Sequence, residues 1–222
     1  MATKPIVAGD LYESITGQIF KIARQLRQPS GYPFNPHLLK LHLQNAIEGK
    51  FDGANLIDPR YEHLKEFALT VPKDYVHGTQ LATFEQKYRK GFYYYNTDIT
   101  DSHFAKATTQ LVPGKTYKVK VFGIKKGSVT SEDHMNLLRS QNAILVGAQG
   151  ASLVYQEKKD ELPKGKFYVS FDEKNALWVD AGGDHRVPRV FRYSVGDCEF
   201  SLGDFERDWG SDYCVLCFCD GE

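Results

Sequence analysis

Five residues in the last quarter of the chain, Asp172, Glu173, Asp184, His185 and Arg186, with Asp180 beside them, are the types that proton-transfer chemistry uses. Two carboxylate-bearing turns next to an imidazole can act as general acid and base, or hold a hydrolytic divalent metal. The candidate catalytic set is therefore His185, Asp184, Asp172, Glu173 and Arg186. The plainer reading is three ordinary turns at one edge of a sheet. Turn geometry does not by itself demand Asp184-His185-Arg186 ahead of a proline-bearing strand, so that tripeptide is the sharpest part of the set.

A second candidate is Gly147-Ala148-Gln149-Gly150. A glycine-rich turn cradles phosphate when it follows a strand and opens a helix, which would make Gly147, Gln149 and Gly150 cofactor-binding. The following residues, ASLVYQ, read as a strand, so a tight hairpin turn is expected instead. The third candidate is metal binding by Cys198, Cys214, Cys217 and Cys219, since four thiols suit zinc. Yet YCVLCFC reads as an apolar strand, on which Cys214 and Cys217 point to opposite faces while Cys217 and Cys219 share one. Buried strand thiols are the expectation, with no metal and no cofactor. The order of residues contains no Ser/His/Asp arrangement, H-E-x-x-H pair or Walker pattern.

These residues must be positioned by elements that the apolar pattern reveals. Leu11, Ile15, Ile19, Ile22 and Leu26 form a helical stripe, with Asp10 and Glu13 as a capping box. Asn35-Pro36 opens a second helix with Leu38, Leu39, Leu43, Ala46 and Ile47 inward and Gly49 as its stop. The two predict an αα-hairpin; their long loop with two prolines argues against a helix-turn-helix DNA reader. Arg60 to Leu69 reads as a short helix with Tyr61, Leu64, Phe67 and Ala68 inward. Leu81, Phe84 and Tyr88 suggest a helical face ending near Gly91, followed by the aromatic run Phe92-Tyr93-Tyr94-Tyr95. Residues 115–126 form a strand, and Thr130 with Asp133 caps a helix to about Gln141. From Ala143 onward, short apolar runs alternate with turns, and Pro188 pushes its strand to an edge or a bulge.

The expected fold is α+β: an N-terminal helical hairpin, then a mainly antiparallel sheet or small partly open barrel. The expected parts are 1–72, helical; 73–110, connecting; and 111–222, β-rich. Within the last of these, LVGAQGASLVYQ, PKGKFYVSFDEKNALW, HRVPRV and the ending through LCFCD resemble a family of uncharacterised bacterial proteins, over about the last 95 residues. The resemblance implies a bacterial protein and carries no catalytic residue with it.

The 222 residues carry 28 basic and 28 acidic side chains, so net charge argues for neither nucleic acid nor membrane. The distribution is uneven: residues 73–126 hold ten Lys/Arg against four Asp/Glu, and residues 198–222 hold seven acidic side chains against Arg207 alone. No 18-residue apolar run and no apolar leader are present, and all four Cys lie in the last 25 residues. A reducing, cytoplasmic setting follows. The function expected is a non-enzymatic binding or protein-interaction module, working through the sheet face or the loops near 147–150 and 181–186. The alternatives are a hydrolase or nuclease-like enzyme at 172–186, and nucleic-acid binding through the basic 73–126 region.

Overall fold

In the computed structural model the described residues are 9–27, 36–47 and 58–221. They fall into two units, residues 1–54 and 55–222. The first holds α1 (Asp10–Gln25) and α2 (Pro36–Ile47). Both helices lie where the apolar stripes place them, but they form no hairpin. Ile19 and Phe20 of α1 are 52% and 69% exposed, and Ile47 of α2 is 80% exposed; a packed pair would bury these side chains. Helix α1 also begins one residue earlier than a cap at Asp10 requires: Gly9 occupies the cap, and no side chain bonds there. The expected cap at Asn35, the prolines of the loop and the stop at Gly49 lie outside the described residues.

The second unit is built on β1 (Tyr61–Thr70), β2 (Phe92–Tyr95), β3 (Thr116–Ile124), β5 (Lys166–Val169), β6 (Trp178–Val179), β7 (His185–Arg192), β8 (Cys198–Asp204) and β10 (Tyr213–Asp220). They form one eight-stranded sheet in the order β1-β3-β10-β5-β7-β8-β2, with β6 also pairing to β7. The short β4 (Val129–Thr130) and β9 (Asp208–Trp209) pair with each other. The sheet is mixed rather than mainly antiparallel, because β10 with β5 and β8 with β2 run parallel. It ends in two edge strands, β1 and β2, and does not close into a barrel. The basic and acidic regions meet inside it: β10 pairs with β3, and Lys115 bonds Asp220 at 2.5 Å.

Residues 61–70 are a strand, not the expected helix. A bulge between His63 and Lys65 shifts the alternation. Tyr61 therefore joins the core on one face of the sheet while Phe67 and Leu69 join the core on the other. That shift spaces the apolar residues as a helix would. Pro188 is equally misleading. Its strand, β7, is internal and unbulged against β8. On its other side β7 pairs β6 at 185–186 and β5 at 189–192, so Pro188 falls where the partner changes. Its carbonyl accepts from Ser170 N just past the last β5–β7 pair, so the missing N–H costs the sheet only the reciprocal bond at the end of that ladder.

Helices α3 (Gln80–Tyr88) and α5 (Gly147–Lys158) take part in the cores of one face, with Phe67, Tyr168 and Phe200. Helix α4 (Ser131–Ser140) takes part in the core of the other with Trp209, and carries the capping box that Thr130 and Asp133 predict. Asn142 follows it in the left-handed region, φ 51°, as a stop should. Helix α5 replaces the expected turn at 147–150 and strand at 152–155. Every residue from Gly147 to Tyr155 is buried. A helix buried all round shows no polar face, so its apolar run reads like a strand. Gly150 serves packing rather than a turn: a Cβ there would collide with Val146 Cγ2.

Candidate functional site

The polar residues of 172–186 are divided among separate sets of partners. Asp172 is buried and accepts the Thr108 amide on both oxygens, at 3.2 and 3.1 Å, and the Glu173 amide at 2.8 Å. Burial raises its pKa above the ordinary carboxylate value. It lies against Gly147, so the N-terminus of α5 is met by the protein's own carboxylate, which suits the helix dipole. Gln149, also buried, donates to the Phe104 carbonyl at 3.3 Å. Gly147, Gln149 and Gly150 thus do open a helix, but they stand in the interior.

Glu173 reaches Arg139 at 3.3 Å. His185 Nδ1 lies 2.9 Å from Glu206 Oε1, which also holds Lys174 Nζ at 3.2 Å. Arg186 is clamped by Asp180, which accepts from its Nε at 2.8 Å, and by Asp204, with Asp184 at 3.8 Å. The guanidinium holds Asp180 below the usual carboxylate range. Beside this clamp opens a cleft of about 420 Å³ lined by Asn96, Asp98, Trp178, Asp180, Arg186 and Leu202 among others. His103 stacks on Trp178 at 4.3 Å and 6°. Of the candidate catalytic set, only Arg186 lines the cleft; His185 points to Glu206 and Asp172 to Thr108. Asn96, Asp98 and His103 were not singled out in sequence, because some 80 residues separate them from Trp178.

The four cysteines are distributed as a strand requires. Cys214 packs on one side of β10, Cys217 and Cys219 on the other, and Cys198 with the aromatic cluster around Phe200. Burial raises the Cys198 thiol and pushes Cys214 up to about 12. Among the described residues no three His, Cys, Asp or Glu are grouped to hold a metal ion.

A further arrangement is one that the spacing of polar residues does not announce. On the sheet face that carries α4, aromatic rings form a continuous row. Tyr93 meets Tyr193 at 5.9 Å, Tyr193 meets Phe191 at 4.5 Å, Phe191 meets Phe167 at 4.3 Å, Phe167 stacks on Tyr213 at 4.8 Å, and Tyr213 meets Trp209 at 5.0 Å. Register builds the row: Phe167 pairs Phe191 across β5 and β7, and Tyr213 across β5 and β10. The Arg189 guanidinium lies 4.6 Å from the Phe167 ring centre and donates to Tyr213 Oη at 2.8 Å and Ser201 Oγ at 3.1 Å. Arg207 lies 5.4 Å over Trp209. Trp209 and Tyr213 are buried; Phe167, Phe191 and Tyr193 are half-buried; Tyr93 is 76% exposed.

The bulge between Phe92 and Tyr94 explains the exposed end. It lets Phe92 and Tyr95 both enter the core while Tyr93 and Tyr94, between them, both face out. Both lie on β2, whose outer edge pairs with no strand among the described residues. The run FYYY was visible in sequence; its partners, about 75 to 120 residues later, were not.

The chain matches no protein-family model, no curated protein and no solved structure. Among the described residues no helix is long and apolar enough to cross a membrane.

Proposed function

We propose that this protein is a non-enzymatic binding module that recognises another protein through the open end of the aromatic row and the adjoining edge of β2. The observation that carries the reading is the row itself, which runs from a buried tryptophan to an exposed tyrosine, with two guanidiniums over its inner half. Tyrosine, tryptophan and arginine are the residues that dominate binding energy at protein interfaces. Rings already held by their neighbours lose little side-chain freedom on binding. A free edge strand adds the main-chain groups that an extended partner segment pairs with. Four free thiols fit a reducing, cytoplasmic setting for this activity.

The two alternatives draw on less. The polar turns at 172–186 are engaged with their own partners, and the basic region spends several charges internally. Lys115 pairs with Asp220, Lys118 with Glu66 and Arg89 with Glu85.

The test is a photo-crosslinking residue placed at Tyr93 and, as control, at the exposed Val112. One protein, identified and then purified, should crosslink from position 93 and not from 112. Its affinity, measured by calorimetry, should fall about tenfold or more in Tyr93→Ala, the loss of ~1.4 kcal/mol expected at a central contact. Binding that survives both Tyr93→Ala and Tyr193→Ala would place the interface elsewhere.

A further inference from the structure

Two thiols lie on the same sheet face as the aromatic row, but on β10 beside β3, several strands from its open end. Cys217 and Cys219 project from the same side of β10, and their sulfurs are 3.7 Å apart. Cys217 is buried, whereas Cys219 is partly exposed. Across the antiparallel ladder they face Lys120 and Lys118 of β3. Lys120 Nζ donates to Gln141 Oε1 at 3.2 Å, Lys118 lies 3.6 Å from Glu66, and Cys219 Sγ lies 3.6 Å from the Gln141 carbonyl oxygen. The charged groups facing Cys219 are thus two lysines and one glutamate. No third ligand joins the two sulfurs among the described residues, so the pair does not make a closed metal site.

We propose that Cys217 and Cys219 form a reversible dithiol–disulfide couple that is oxidised by a hydroperoxide. The division of labour follows from position. Cys219 is the accessible sulfur, and the neighbouring Cys217 thiol and the two lysines favour its thiolate. Cys217, hydrogen-bonded to Cys219 and buried, stays protonated. The Cys219 thiolate attacks one peroxide oxygen and the O–O bond breaks. Cys219 becomes a sulfenic acid, and the other oxygen leaves as alkoxide or hydroxide and takes up a proton. The Cys217 sulfur then attacks the sulfenic sulfur, giving up its own proton as water departs and the S–S bond forms. The two thiols lose two electrons and the peroxide gains them. A low-molecular-weight dithiol reverses the change by exchange.

The strand sets the character of this bond. Residues two apart on an extended strand have Cα atoms roughly 6.7 Å apart, near the upper limit for a disulfide. Closing the bridge draws in the last turn of the pleat. The pairs Cys219 with Lys118 and Asp220 with Tyr117 are the ones that feel it, and with them the ion pair of Asp220 with Lys115. A strained bridge is readily reduced, which suits a switch rather than a permanent crosslink.

The whole chain should be exposed to a few equivalents of hydrogen peroxide, alkylated, and mapped by mass spectrometry. The peptide beginning at Asp208 should lose two hydrogens and keep only Cys214 alkylated, and dithiothreitol should restore all three thiols. Cys198 should stay reduced throughout. Cys219→Ser should slow peroxide-dependent thiol loss at least tenfold. Cys217→Ala should leave Cys219 as a sulfenic acid that dimedone traps. Should the core variant not fold, the wild-type peptide map decides alone. Four surviving thiols, oxidation at Cys198 or Cys214 first, a disulfide between chains, or sulfinic acid on Cys219 without a bridge would each overturn the proposal.

Discussion

Trp209 and Tyr93 stand at the two ends of one row of rings, yet their surroundings share almost nothing. Around Trp209 the face is closed by α4 and the 205–213 segment. The indole donates to Ser131 Oγ at 2.8 Å, and Ser131 lies within bonding reach of the Phe205 carbonyl. Nearby, Tyr61 Oη and His134 Nδ1 meet at 3.2 Å in a site with no exposure to solvent. The indole N–H, the Ser131 hydroxyl and the Tyr61 hydroxyl find partners inside the protein, as burial requires, while His134 Nε2 is buried with none. At the other end Tyr93 is largely exposed, and Tyr193 and Phe191 are half-buried. The same residue types therefore hold the fold together at one end and remain available at the other. What separates the two is a covering helix, not composition.

Trp209→Ala tests the closed end and carries the largest expected effect. It removes a fully buried ring that contacts Phe171 at 5.6 Å and Tyr213 at 5.0 Å, and leaves Ser131 without its donor. Gly203 has no Cβ because one would sit 2.8 Å from the indole, so no neighbouring side chain is at hand there to fill the space. Loss of about 3–5 kcal/mol is expected in urea unfolding. A loss under ~1 kcal/mol would mean that α4 does not seal this end.

Acid should weaken the same end next. His134 is buried, and desolvation lowers its pKa to about 3. The unfolded chain returns it to ~6.5. Above that value both states are neutral and the full stability is present. As pH falls from about 6.5 toward about 3, the unfolded state takes up a proton that the folded state refuses, and stability is lost. Between pH 7 and pH 5 this amounts to roughly 2 kcal/mol. His77, lowered for the same reason, acts with the same sign. Urea midpoints at the two pH values, in wild type and His134→Gln, separate the contribution. An unchanged difference in the variant would assign the acid sensitivity to other groups.

The two ends also differ in how far the sequence announces them. The α4 cap is local: Thr130 and Asp133 are three residues apart and meet on one turn. β3 alternates from Tyr117 to Val121, and β10 is a short apolar run buried on both faces; each is legible from its own residues. Local signals failed where tertiary structure overrode the period. The bulge in β1 spaced Tyr61 and Phe67 like a helix, total burial hid the helical face of α5, and a change of partner made Pro188 harmless inside the sheet. The aromatic row lies further from sight still. It depends on the register of five strands and on two parallel pairings. Carboxylates and histidine drew attention to 172–186 because their chemistry is legible residue by residue. A recognition face is legible only once the strands are in order.

The smallest expected effect is the one that most directly tests the contrast. Tyr93→Ala removes a ring that is 76% exposed and meets one other ring, that of Tyr193. If the open end is free of structural duty, stability should stay within about 0.5 kcal/mol of wild type, as for surface substitutions generally. Urea unfolding of Tyr93→Ala beside wild type measures this directly. A cost above ~1.5 kcal/mol would show that the exposed rings buttress the sheet, since edge strand β2 reaches the face through the same bulge that turns Tyr93 outward. The row would then be one structural unit from Trp209 to Tyr93, and the division between a sealed end and an available end would fail. A near-zero cost would leave the exposed rings doing nothing for the fold, which is the condition under which a binding role explains them.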